Sequence, residues 1–158
     1  MIYRLIHPGR GFHGPLNEAS RVYLERLTRH IKVDERLVRP ERVHKEGPSV
    51  VKTAISREGQ RILAAVEPSD LLVALDKSGK TKTSEALAQK LSRWQGDGHR
   101  VIAFALGGPF GLCPSVLKRA DASLSFGPMT LPHDLARVLI WEQLYRAGTI
   151  TRGEPYHK

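Results

Sequence analysis

The sequence has little cysteine: Cys113 stands alone among 158 residues. One thiol cannot build a disulfide framework or a Cys-rich metal site, and a reducing, cytoplasmic setting is expected. Long hydrophobic runs are also missing. No apolar stretch approaches the ~18 residues that would cross a bilayer, so no membrane association is expected. The opening MIYRLIHPGR is too short an apolar run for a signal peptide. Internal repeats, low-complexity tracts and linkers are absent. Acidic residues are comparatively few: 16 Asp and Glu face 25 Lys and Arg, for a net charge of +9 and a pI near 10.1. A fold does not require that excess, and it predicts a polyanionic partner, most simply a nucleic acid.

What remains alternates between strand-like and helix-like segments. Strands are expected at 2–7 (IYRLIH), 71–75 (LLVAL), 101–106 (VIAFAL) and 122–126 (ASLSF), with a highly charged one at 32–39 (KVDERLVR). The continuous apolar runs LLVAL and VIAFAL suit strands buried on both faces of a parallel sheet. Helices are expected at 16–31, at 50–66, after Thr83 or Ser84 as cap (EALAQKLSRW), at 112–120 and at 132–149. A polar loop is expected at 42–49. Such alternation predicts one α/β domain over residues 1–158, a mostly parallel sheet flanked by helices. The last helix carries Leu135, Val138, Leu139, Ile140, Trp141, Leu144 and Tyr145 around most of its circumference. Either a partner subunit buries its second face, or the sheet and the first helix do.

Two glycine-bearing turns invite a nucleotide reading, and neither spacing supports it. LDKSGKT at 75–81 ends like a phosphate loop, but the first glycine of G-x-x-x-x-G-K-[ST] would fall at residue 74, which is Ala74. A tight strand-to-helix turn describes it better. The second cluster, GGPFG at 107–111, lacks the G-x-G-x-x-G spacing of a dinucleotide site. It still sits at the carboxyl end of a buried strand, where ligands of open α/β sheets bind and glycine permits close approach.

Taken together, ordered motifs resemble the ribosomal RNA large subunit methyltransferase H (RlmH) family of the SPOUT superfamily. They are L-D-x-x-G-K at 75–80, S-E-x-L-A at 84–88, GGPxG at 107–111 and LSF…MTLPH at 124–133. ARV…EQLYRA at 136–147 and I-x-R-G-E-P-Y-H-K to the end complete the series. The resemblance covers nearly the whole chain and is densest over 71–158. It implies a C-terminal deep trefoil knot, S-adenosylmethionine as methyl donor, and a homodimer with the final helix in its interface. The implied substrate is N3 of a pseudouridine in 23S ribosomal RNA of the assembled ribosome. Carried over by position, the donor would contact Leu75, Gly107 and the loop Leu124, Ser125, Phe126, Gly127, Pro128 and Met129. Catalytic candidates are His133, Arg146, Tyr156 and His157, with Glu142 in support. His133 would accept a proton or hydrogen-bond the base, or else be a solvated first-turn residue. Arg146 would steady anionic oxygen or phosphate, or pair with Glu142 between subunits. Tyr156 and His157 would stack on and contact an extruded base if the tail folds over the pocket.

Residues 7–14 (HPGRGFHG) and 40–49 depart from the family pattern and are expected to flank the sheet and not to form the donor loops. His7 and His13 lack a third ligand at recognisable spacing and are expected to be loop residues, with no metal bound. A non-catalytic RNA-binding or ribosome-assembly protein on the same fold is the alternative reading, and it would have no reason to hold the donor.

Overall fold

The two apolar runs become the centre of the sheet. In the computed structural model, which describes residues 1–11, 13–43 and 47–157, LLVAL is β3 (Leu71–Leu75) and VIAFAL is β4 (Val101–Leu106). Every residue of β3 is buried, as expected of a strand covered on both faces. With β1 (Ile2–Pro8), β2 (Lys32–Val38) and β5 (Ala122–Leu124) they form one parallel sheet of order β2-β1-β4-β3-β5. The helices are α1 (Pro15–Thr28), α2 (Pro48–Ala64), α3 (Ser84–Gly96), α4 (Pro114–Arg119) and α5 (His133–Arg152). Phe12 of the first turn, residues 44–46 of the expected polar loop and Lys158 of the terminal motif lie outside the described residues.

Two apolar layers cover the sheet. On one side Leu5, Val73 and Phe104 pack with Leu27, Leu91, Ile140, Trp141 and Leu144. On the other, Ile6, Leu72 and Ala103 pack with Ile62 and Val116. Helix α5 lies on the first layer with α1 and α3, and its Ile140, Trp141 and Leu144 are wholly buried. Much of its apolar circumference is thus covered within one chain, while Leu135, Val138 and Leu139 stay half-buried.

Differences from expectation are local and have physical causes. Strand β5 stops at Leu124 because Ser125 turns the chain: its hydroxyl accepts the Gly127 N–H at 3.1 Å. Pro132 precedes α5 instead of opening it, and the helix runs on to Arg152. The charged segment KVDERLV is a strand as expected, and it takes the edge of the sheet, registered on β1 from Ile2–Lys32 to Pro8–Val38. Its charges have partners: Asp34 accepts from the buried Arg4 at 2.7 Å, and Glu35 from Arg137.

The Gly-Lys-Thr turn is no phosphate loop. Asp76 closes it, its carbonyl accepting the Gly79 N–H at 2.9 Å and its carboxylate the Ser78 N–H at 2.9 Å. Helix α3 begins only at Ser84, where Thr83 accepts the Ala86 N–H at 3.2 Å. The turn closes instead on the chain leaving β5. A Cβ at Gly79 would stand 2.9 Å from the Leu124 carbonyl carbon and 3.1 Å from its nitrogen, so only glycine fits. The Ser125 N–H donates to Lys80 at 3.1 Å, and Thr81 bridges Ser125.

Candidate functional site: a cavity at the carboxyl edge and a cluster along the last helix

The carboxyl ends of β3, β4 and β5 open into a cavity of about 670 Å³, within the ~300–1,000 Å³ usual for small-molecule sites. Leu75, Gly107, Leu124, Phe126, Gly127 and Met129 line it, together with the GGPFG turn and the start of α5, including His133. Ser125 and Pro128 are not among the lining residues, and Pro128 is exposed. Ser125 is buried, its hydroxyl 3.1 Å from the Lys77 carbonyl and 3.0 Å from that of Gly127, which braces one side of the cavity against the other. Leu75, Leu124, Phe126 and Ala136 supply apolar walls, and the glycine turns supply backbone donors and acceptors. That donor set suits a ligand with a flat heteroaromatic part and polar ends, as S-adenosylmethionine has. The close turn requires glycine at 107, since a Cβ there would lie 2.4 Å from the Gly111 carbonyl carbon and 2.8 Å from the Leu112 nitrogen. On the outer side Phe110 and Met129 are exposed, Met129 by 77%.

His133 fixes this wall. Its Nδ1 lies 3.0 Å from the Gly107 carbonyl and its Nε2 lies 3.0 Å from Nδ1 of His7. Burial pushes its pKa below the ordinary value, the Gly107 contact pulls it upward, and the neighbouring His7 lowers it again. His7, from the stretch expected to flank the sheet and not to form the donor loops, therefore supports the cavity wall through His133. His7 belongs to β1, is 3% exposed, and faces Glu35 through Nε2 at 3.2 Å. Glu35 also accepts two bonds from Arg137, at 2.6 and 2.8 Å, and one from Trp141 at 3.2 Å. Burial pushes the Glu35 carboxyl up, but Arg137, His7 and Trp141 together outweigh it and bring its pKa down to about 2. Sequence reading missed Glu35 and Arg137. Their only signal was a carboxylate in a strand and a cation on an otherwise apolar helix face.

Arg146, Tyr156 and His157 gather elsewhere. Arg146 donates to Glu142 through Nε at 2.9 Å and Nη2 at 2.6 Å, so this ion pair lies within one helix and not between subunits. The Tyr156 hydroxyl donates to the same Glu142 oxygen at 3.1 Å, and the Arg146 guanidinium lies 4.7 Å from the Tyr156 ring centre. Burial, with the Tyr23 and Glu142 contacts, raises the Tyr156 phenol to about 12. His157 Nε2 sits 2.7 Å from Glu85, while its buried Nδ1 has no partner among the described residues. A helix rises ~1.5 Å per residue, so His133 and Arg146 are roughly 20 Å apart along α5. Among the described residues, none of the tail lines the cavity of its own chain. Among the described residues no group of three His, Cys, Asp or Glu could hold a metal ion, and no helix is long and apolar enough to cross a membrane.

Comparisons with known proteins agree in kind. The family model described as predicted SPOUT methyltransferase matches residues 1–157. A Desulfotalea psychrophila protein named ribosomal RNA large subunit methyltransferase H is 43% identical over 141 residues, covering 89% of each chain. One of the same name from Magnetococcus marinus is 41% identical over 159 aligned positions, covering 99% of this chain and 98% of that one. A solved structure titled as a probable methylase family protein from Haemophilus influenzae superposes with a TM-score of 0.60 at 16% identity. The match covers 99% of this chain and 70% of the other, a likeness of fold.

Proposed function

The chain belongs to the SPOUT methyltransferase family, and on that premise we propose that it methylates large-subunit ribosomal RNA, at N3 of a pseudouridine, with S-adenosylmethionine as donor. The observation that carries this reading is the cavity at the carboxyl edge of the sheet. Its walls include Leu75, Gly107, Leu124, Phe126, Gly127 and Met129, six of the residues that the sequence resemblance assigns to the donor. The +9 charge suits a ribosomal RNA substrate, and the enzyme works in the cytoplasm, where assembled ribosomes are. A single SPOUT domain spans the chain. The close contact of the 124–125 segment with the turn at 76–81 is the packing that a deep trefoil knot at this point would need.

The chemistry assigns distinct work to the residues. S-adenosylmethionine, when bound, supplies an electrophilic methyl group. Pseudouridine N3 is an imide nitrogen that holds its proton at neutral pH, so the protein must orient the base, take the proton and steady the developing anion. Arg146 carries the positive charge for the anion, and Glu142 fixes its direction. Tyr156, held neutral by its raised pKa, offers a ring face and a hydroxyl donor but no base. His157 is the proton acceptor: Nε2 faces a carboxylate and carries hydrogen, which leaves Nδ1 bare. His133 braces the donor wall through Gly107.

These two groups of residues must meet on one base. With roughly 20 Å of helix between them in a single chain, we place the reaction in a homodimer, the tail of one copy closing over the cavity of the other. The exposed Phe110 and Met129 at the rim fit such a cover.

The test is transfer of label from S-adenosylmethionine to whole ribosomes, isolated large subunits and naked 23S RNA, with the modified nucleoside mapped. Label on pseudouridine in ribosomes is expected. The double variant Tyr156→Ala/His157→Ala should lose transfer by about a hundredfold or more while donor affinity stays within about threefold. Normal turnover in that variant would remove the tail from the mechanism. Absence of donor binding in the wild type would favour the non-catalytic RNA-binding alternative.

A further inference from the structure

The two histidines behind the cavity form a row whose ends decide its protonation. Four groups stand in line: the Gly107 carbonyl, His133, His7 and the Glu35 carboxylate. The gaps are 3.0 Å from Gly107 O to His133 Nδ1, 3.0 Å from His133 Nε2 to His7 Nδ1, and 3.2 Å from His7 Nε2 to Glu35 Oε1. Both ends accept only. Each gap therefore needs one proton, and two neutral imidazoles bring two. A row of two protons would leave one gap with lone pair facing lone pair at hydrogen-bond distance. The Pro8 carbonyl, 3.2 Å from His7 Nδ1, is a further acceptor for a hydrogen on that nitrogen.

We propose that the His7–His133 pair holds three protons, and that this shared positive charge ties the Gly107 wall of the methyl-donor cavity to Glu35 as a positioning device. His7, next to the carboxylate, bears the charge. His133 is neutral with hydrogen on Nδ1 and a bare Nε2, and burial favours that division. Charged groups of the described residues that face the pair include Arg137, bidentate on Glu35, and Asp134, both on α5. With the third proton present the group balances: Glu35 and Asp134 against Arg137 and the pair. Without it the remaining hydrogen of His7 stays on Nε2, facing the stronger acceptor, the Glu35 carboxylate. Nδ1 is then bare against Nε2 of His133, that bond opens, and the Gly107 carbonyl is no longer held through His133 to the sheet. Donor affinity then falls as pH rises and the pair loses its third proton, while turnover at saturating donor is unchanged. The inference rests on the methyl-donor reading of the cavity only for this functional consequence. The proton count stands apart from it.

The test has two parts. Side-chain ¹⁵N spectra of the folded wild type at pH 7 should show three protonated nitrogens and one bare nitrogen in the pair, the bare one being Nε2 of His133. Two protonated nitrogens would overturn the proposal. Donor affinity, by calorimetry with S-adenosylmethionine, is then compared for His7→Asn and His7→Gln. The Asn amide nitrogen overlies imidazole Nδ1 and still donates to His133. The Gln amide nitrogen overlies Nε2 and reaches only Glu35. Asn should keep affinity within about threefold and lose its pH dependence, while Gln should lose about tenfold, with equal kcat in both. Equal affinity in both variants and the wild type would overturn the positioning role. A wild type that binds no donor but shows three protons would refute the methyl-donor reading and leave the proton count intact.

Discussion

Gly107 shows how a single residue sets the cavity. The atoms a side chain would strike there are backbone atoms of Gly111 and Leu112, which cannot swing aside as a flexible side chain could. Gly107→Ala should therefore push the GGPFG turn outward, lower the melting temperature and cut S-adenosylmethionine affinity by at least about tenfold. Calorimetry on the variant checks this, and unchanged affinity would show that this wall does not touch the donor. Gly107 was legible in the sequence because glycine pairs after a buried strand point to close approach, yet what holds it was not. His133 could be named from its motif, but its partner His7 is remote in sequence. His7 stood in a segment whose Gly, His and Pro content suggested a loop flanking the sheet. Contacts between residues so far apart leave no spacing to read. Arg146 and Glu142 are the opposite case: their four-residue helical step made the pair visible, while the return of Tyr156 onto Glu142 left no such spacing.

At the scale of elements, burial patterns carried most of the fold. β3 and β4 were found at their observed bounds because an unbroken apolar run between polar turns has few other readings. Helix ends moved by a few residues, where caps and turns decide and periodicity does not. β2 is the instructive strand. KVDERLV looks too charged for a sheet, yet as an edge strand it places Asp34 and Glu35 against buried cations from β1 and α5. Glu35 thus bolts the edge strand to the last helix, and its acid response follows. A carboxyl held at about 2 against an ordinary 4.5 stabilises the fold fully above the ordinary value. That stabilisation, on the order of 3 kcal/mol, drains as pH falls from about 4.5 towards 2. In Glu35→Gln, Arg137 loses its buried counter-ion, so the variant should be less stable at pH 7 and show a flatter stability curve across that acid window. Urea unfolding at a series of pH values tests both, and a parallel acid slope in the variant would place the linkage on another group.

For the whole molecule the proposed homodimer poses one decisive question, whether the tail of one copy serves the cavity of the other. The broad apolar surface of α5 suggested a dimer from sequence, but α1, α3 and the sheet already cover its centre, so that argument weakens once the packing is seen. A geometric one replaces it: the cavity and the Arg146–Tyr156 cluster are separated along one rigid helix by roughly 20 Å. Mixed dimers distinguish the two arrangements. Let one chain carry Gly107→Ala and a co-expressed chain carry Tyr156→Ala/His157→Ala, assayed at a donor concentration low enough that each shows little transfer when purified by itself. Random pairing makes half of the dimers mixed. If each site joins a cavity from one copy to a tail from the other, every mixed dimer has one intact site, and the preparation should recover about a quarter of wild-type transfer. If cavity and tail belong to the same chain, every site in every dimer is broken and no transfer returns. Separate tags on the two chains allow the mixed species to be isolated, where the expected recovery rises to about one half. A recovery near zero in that species, with donor binding retained by the tail variant, would require the tail to close over its own cavity through a rearrangement of the segment after α5.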